Sequence, residues 1–189
     1  MFSWLIRDRS LKPSADQLYG ASVAAARDPA LFRGLGVADT IEGRFEILIV
    51  HLFVVLDRLR AEGEAGAELA RALVERFFEA LDDTMREMGV GDVTVPKKMH
   101  KAAGAFYGRL DAYATAIRAA SPEPLADALR RNVYGRDRAD GPADGQADDR
   151  ADALACHVRA MAATLATQPL DGLSRGVVVF PPVEGIVHG

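Results

Sequence analysis

Apolar residues recur at steps of three and four along most of this chain, and turn-forming residues interrupt the rhythm at short intervals. Ser14 and Gln17 stand at the spacing of a capping box and predict a first helix reaching about Arg27. Asp28-Pro29 predicts a short second helix that Gly34 and Gly36 stop. Asp39-Thr40 opens a third, "TIEGRFEILIVHLFVVLDRLRAEG", whose centre from Ile47 to Leu56 is apolar on every side except at His51. A helix of that kind is either buried in protein or spans a bilayer. The ten residues between Glu46 and Asp57, nine of them apolar, fall short of the roughly 20 a bilayer needs, so burial is predicted. The fourth helix, about Glu64 to Met88, carries the stripe Leu69, Leu73, Phe77, Leu81, Met85 and Met88, and Gly89 ends it.

The loop "GVGDVTV" leads to Pro96 at a first helical position, and a fifth helix runs from there to about Ala120. Ser121-Pro122 introduces a sixth with Leu125, Leu129 and Val133, and a seventh extends from Asp148 to about Gln168. Between them "RDRADGPADGQADDRAD" has no apolar residue larger than alanine and cannot repay its ordering entropy, so a flexible acidic insertion is expected at about 136–150. The end, "RGVVVFPPVEGIVHG", reads as an extended arm. The expectation is an all-α chain: an N-terminal segment 1–13, then one compact helical domain, 14–189, of about six to seven helices.

Composition narrows the function. The 189 residues suit one domain, and 49% hydrophobic content supplies a core. A net charge of −4 opposes general nucleic-acid binding, which needs a basic surface. The lone Cys156 cannot form an internal disulfide and fits a reducing, cytoplasmic setting. Adjacent Cys156-His157 and the scattered His51, His100 and His188 have no ligand spacing, so no metal is expected. No cofactor is expected either: GxxxxGK[ST] and GxGxxG are missing, as is the Glu-x-x-His of a di-iron bundle. Phe2, Trp4, Leu5 and Ile6, followed by Arg7, Arg9 and Lys12, fit either a peripheral membrane contact through residues 1–12 or an end tucked onto the domain.

Two places carry candidate chemistry. His51 is a lone imidazole inside ILIVHLFVVL, expected as a core or interface histidine; the enzymatic alternative would orient it with Glu42, Glu46 or Asp57. The other place is the fifth helix. Met99, Ala103, Phe106, Leu110, Tyr113 and Ile117 form its apolar stripe, and the opposite side carries Lys97, His100, Lys101, Gly104, Tyr107 and Gly108. Apart from Lys12, the chain holds its lysines here, at Lys97, Lys98 and Lys101. Each interior glycine costs about 1 kcal/mol of helix stability relative to alanine, an expense that close approach of another backbone would offset. The reading is a docking strip for a partner chain, Lys97, Lys98, His100, Lys101, Gly104, Tyr107, Gly108 and Arg109; the alternatives are a solvated lysine face and a ribosome or RNA dock.

At these residues the chain resembles a known family. "EGRFEILIVHLFVVLDRLRAEG", "FFEALDDTMREMGVGDVTVPKKMHKAAGAFYGRLDAY" and "LRRNVYG" look like blocks of the ubiquinol-cytochrome c chaperone family, over about Leu18 to Gly135. The acidic stretch and the Pro-rich tail depart from it, and nothing is carried over to them. The resemblance implies a non-enzymatic, all-helical assembly factor that holds newly made cytochrome b for respiratory complex III. Mitochondrial members of the family work near the ribosomal tunnel exit with a small partner protein. The absence of a mitochondrial presequence fits a bacterial member, cytoplasmic or peripheral at the inner membrane.

Overall fold

The computed structural model describes residues 3–135 and 145–183, without the side chains of 3–10 and 145–148. Eight helices and no strand occur among the described residues: α1 (Ser3–Ala25), α2 (Pro29–Arg33), α3 (Ile41–Ala61), α4 (Glu64–Glu87), α5 (Val95–Ile117), α6 (Glu123–Val133), α7 (Gly145–Ala166) and α8 (Leu170–Ser174). The all-α expectation holds, with one helix more than anticipated, since five-residue α8 is too short to show a period.

Local signals set several boundaries. Asp28 caps α2 by accepting from the Ala30 N–H at 2.8 Å, and the Thr40 hydroxyl caps α3 by accepting from the Gly43 N–H at 3.1 Å. Gly89, at φ +77, follows the Met88 cap of α4 in the left-handed conformation that glycine adopts without strain.

Two boundaries differ from expectation. Helix α1 starts at Ser3 and runs through Pro13, so Ser14 is no N-cap; its hydroxyl instead donates to the Ser174 carbonyl at 2.6 Å. Packing along α4 carries the helix past a proline that would break an isolated one. Helix α7 starts at Gly145, inside the stretch expected to be an acidic loop, because its alanine-rich beginning places Ala151, Leu154 and Ala155 in the core. Residues 136–144 of that stretch lie outside the described set.

Helix α3 is the axle, packing against α1, α4, α5, α6 and α7. From Ile49 to Leu56 every one of its side chains is buried, the burial its all-round apolar pattern predicts. Arginines from neighbouring helices satisfy helix-end carbonyls: Arg58 of α3 donates to Leu165 and Gln168 oxygens at the end of α7, both at 2.9 Å, and Arg159 of α7 donates to the oxygen of Ile117, the last residue of α5, and to that of Ser121 just beyond it. After α8 the chain extends without helix, and the side-chain amide of Gln168 holds both the N–H and the carbonyl of Val179. Gly176, at φ +79, lies so close to α1 that a Cβ there would sit 2.5 Å from the Gln17 Cβ.

Candidate partner-binding site

The α4–α5 hairpin extends beyond the core. Along α4 the apolar stripe is buried at Leu69, Leu73 and Phe77, half-buried at Leu81 and Met85, and 61% exposed at Met88; in the connecting loop Val93 is 95% exposed. Helix α5 repeats the pattern in reverse, with Phe106, Leu110 and Tyr113 buried and Met99 and Ala103 half-buried. The periodicity thus identifies the inward face correctly, but the core beneath it stops about halfway along the hairpin.

The other face of α5 is open. Lys97, Lys98, His100, Lys101, Gly104, Tyr107 and Gly108 are all exposed, and a Cβ on Gly104 or Gly108 would meet nothing within 4 Å. Among the described residues no segment lies against the glycines. Arg109, expected beside them, points the other way: its Nε and Nη2 donate to the two carboxylate oxygens of Glu46 on α3 at 2.5 and 2.6 Å. It ties α5 to α3, while the cations of the helix start have no ion pair among the described residues.

An aromatic cluster underlies the strip. Phe77 and Phe106 stack at 4.7 Å, Phe78 meets Phe106 edge-on at 5.4 Å, and Tyr107, 51% exposed, lies 6.3 Å from Phe78. Beside Tyr107 an open groove of about 780 Å³ runs between α5 and α4, with Val74, Phe78 and Tyr107 as its floor. Its α4 wall carries Glu75, Glu79, Asp82 and Asp83. These carboxylates occupy the polar face of α4, a position in which solvation is the ordinary expectation. What the sequence pattern leaves out is their convergence with Tyr107, which depends on how α4 and α5 pair. On the opposite side of α4 a smaller groove of about 260 Å³ includes Tyr19, Val23, Ile41, Phe45, Leu48 and Leu81, with Arg27 and Arg44 also lining it. Sequence reasoning missed it, because its residues come from three helices whose packing no single period reveals.

His51 belongs to neither groove. It is buried, its Nδ1–H donates to the Ile47 carbonyl at 2.8 Å, and Phe180 of the C-terminal arm packs edge-on against it at 5.2 Å. Burial pushes its pKa down to about 4; the Ile47 bond acts in the opposite sense, and nearby His157 adds to the lowering. The carboxylates considered as its orienting acids are elsewhere: Glu46 on Arg109, Asp57 on Arg118 and Glu42 exposed on the first turn of α3. His51 is a core histidine under the arm. Among the described residues no group of three or more His, Cys, Asp or Glu side chains is placed to hold a metal ion, and no helix is long and apolar enough to cross a membrane. Of the side chains expected to contact a membrane, at residues 1–12, those of 1–10 lie outside the described set and Lys12 is exposed.

Comparison with known proteins adds relatives. Residues 33–180 match the sequence profile of the ubiquinol-cytochrome C chaperone family. The chain is 28% identical over 176 residues to a Xenopus laevis ubiquinol-cytochrome-c reductase complex assembly factor 1, covering 92% of this chain and 83% of the frog protein. It is 27% identical over 130 residues to the Homo sapiens assembly factor of that name, of whose length it spans 43%. The fold matches the crystal structure of the Cbp3 homologue from Brucella abortus with a TM-score of 0.78 and 34% identity, covering 97% of this chain and 98% of that one.

Proposed function

The chain belongs to the ubiquinol-cytochrome C chaperone family, and we propose that it is an assembly factor for the cytochrome bc complex that holds newly made cytochrome b without turnover of its own. The observation that carries this reading is the half-uncovered α4–α5 hairpin, which leaves apolar and aromatic surface in two grooves on a helical frame related to complex assembly factors. A protein that holds an incompletely assembled membrane subunit must offer apolar surface while staying folded itself. The continuous core around α3 supplies the second property and the hairpin the first.

In this reading the docking strip is the exposed face of α5. Gly104 and Gly108 let a client backbone approach, Tyr107 supplies aromatic contact, and Lys97, Lys98, His100 and Lys101 form a charged rim. Deleting the gene is expected to lower assembled cytochrome b, measured as spectroscopic b-type haem in membranes. A pull-down from the native membrane fraction should recover cytochrome b with the protein. Normal b-type haem in the deletion strain overturns the assignment.

A further inference from the structure

We infer that the α4–α5 groove takes a membrane-proximal segment of its client, in which apolar residues are followed by lysine or arginine; this rests on the cytochrome b reading above. Three observations meet in one place. The floor of Val74, Phe78 and Tyr107 is apolar and, at Tyr107, half-exposed. Tyr107 is the α5 residue that lines the groove, and within one turn of it Gly104 and Gly108 are exposed with open space where a Cβ would stand, so a helix or extended chain can lie against α5 there. The α4 wall carries four carboxylates, of which only Asp82 has an ion pair among the described residues, with Arg86.

Glu75, Glu79 and Asp83 follow one another at i, i+4 spacing, where like charges destabilise a helix. Lys12 and Arg76 border the far side of Glu75 and Glu79, but Arg76 is committed to Asp16, and among the described residues that line the groove Arg71 is the one cation. An apolar floor beneath an acidic wall therefore complements a chain that is apolar on one side and cationic on the other. Membrane proteins carry such sequences at a definite place: cytoplasmic loops next to transmembrane helices are enriched in lysine and arginine. The groove would cover that junction, where an unassembled subunit's apolar span meets its basic loop. The lysines at the start of α5 are not among the residues that line this groove and leave the sign of its wall unchanged.

The test uses the full chain with Trp4→Phe and Tyr107→Trp, so that the new indole is the sole tryptophan and reports occupancy of the groove. The probes are a synthetic leucine-alanine helical peptide ending in a run of lysines, the same peptide ending in glutamates, and the lysine run alone. The expected order is tight binding of the first and at least tenfold weaker binding of the other two. In a parallel anisotropy measurement with labelled peptide and native Tyr107, Glu75→Lys with Glu79→Lys should weaken the first by about tenfold at 0.1 M salt. That difference should shrink at 1 M, where the Debye length falls from about 10 Å to about 3 Å. Should the reversed pair unfold, Glu75→Gln with Glu79→Gln carries the same test with a smaller effect. Asp152→Lys, at an exposed position of α7, should change nothing.

Equal binding of the glutamate peptide, or indifference to the changes at 75 and 79, overturns the inference; so does self-association of the protein that the same reversal abolishes. Cytochrome b levels separate the two readings. If the reversal spares both peptide binding and b-type haem, the groove fails and the client assignment stands. If deleting the gene spares b-type haem, the client assignment fails while the peptide preference remains measurable.

Discussion

Arg109 of α5 donates to both carboxylate oxygens of Glu46 on α3, at 2.5 and 2.6 Å, and both side chains are largely shielded from water. The pair fixes the half of α5 that rests on the core. Arg109→Ala should cost about 2 kcal/mol, between the small worth of a surface pair and the larger loss on breaking a fully buried one. Thermal unfolding should show that as a drop of about 4 to 8 °C. Arg109→Lys, which cannot bond both oxygens in parallel, should fall between.

The glycines separate into two kinds. A Cβ on Gly43 would lie 2.0 Å from the Ala38 carbonyl oxygen, and one on Gly66 would lie 2.0 Å from that of Leu59. Alanine at either should destabilise by about 2 kcal/mol, because backbone cannot give way as a side-chain tip can. Gly104→Ala and Gly108→Ala face open space and should stabilise by about 0.5 to 1 kcal/mol each. Gly104→Leu should leave unfolding unimpaired while reducing cytochrome b co-purification. Loss of melting temperature in step with loss of capture would show that the strip serves packing.

Lys97→Glu with Lys101→Glu should slow client capture with little effect on dissociation, and more strongly at low salt, since exposed charges act mainly on encounter. Stopped-flow association rates across a salt series test this. An effect confined to dissociation would place the lysines inside the contact.

His51 gives the fold a pH dependence of known sign. Its folded pKa of about 4 lies below the ordinary 6.5, so the unfolded chain takes up a proton that the folded chain refuses between those values. Stability is therefore full above pH 6.5 and is lost as pH falls toward 4, with a slope of up to about 1.4 kcal/mol per unit. Of the groups near it, His157 reinforces the lowering and Asp28 opposes it. Denaturant unfolding of wild type and His51→Leu at pH 7 and pH 5 measures the difference, which should shrink in the variant.

How much was legible in the sequence follows from the range of each interaction. The Asp28 and Thr40 caps act within three residues and can be read directly. The burial of α3 can be read as well, since no orientation of Ile47 to Leu56 hides fewer than most of them. Ser14 misleads because its partner is Ser174, 160 residues away. Arg109 misleads for the same reason: its neighbours in sequence are glycine and tyrosine, but its partner is Glu46. The α5 strip is visible as a period, whereas the acidic groove beside it depends on the pairing of α4 with α5.

The contact between Ser14 and Ser174, with Gly176 seated on Gln17, has a consequence for the order in which the molecule is made. Helix α1 leaves the ribosome before α4 and can lie on it once that emerges, but Ser174, which locks α1 in place, follows Ser14 by 160 residues. A contact of such long sequence separation is slow to form even in a complete chain, because loop closure comes before any gain. The bundle around α3 is thus available to fold before the seal closes, and α1 stays unsealed until Ser174 has been made. A member of a chaperone family thus passes through a long unfinished state of its own.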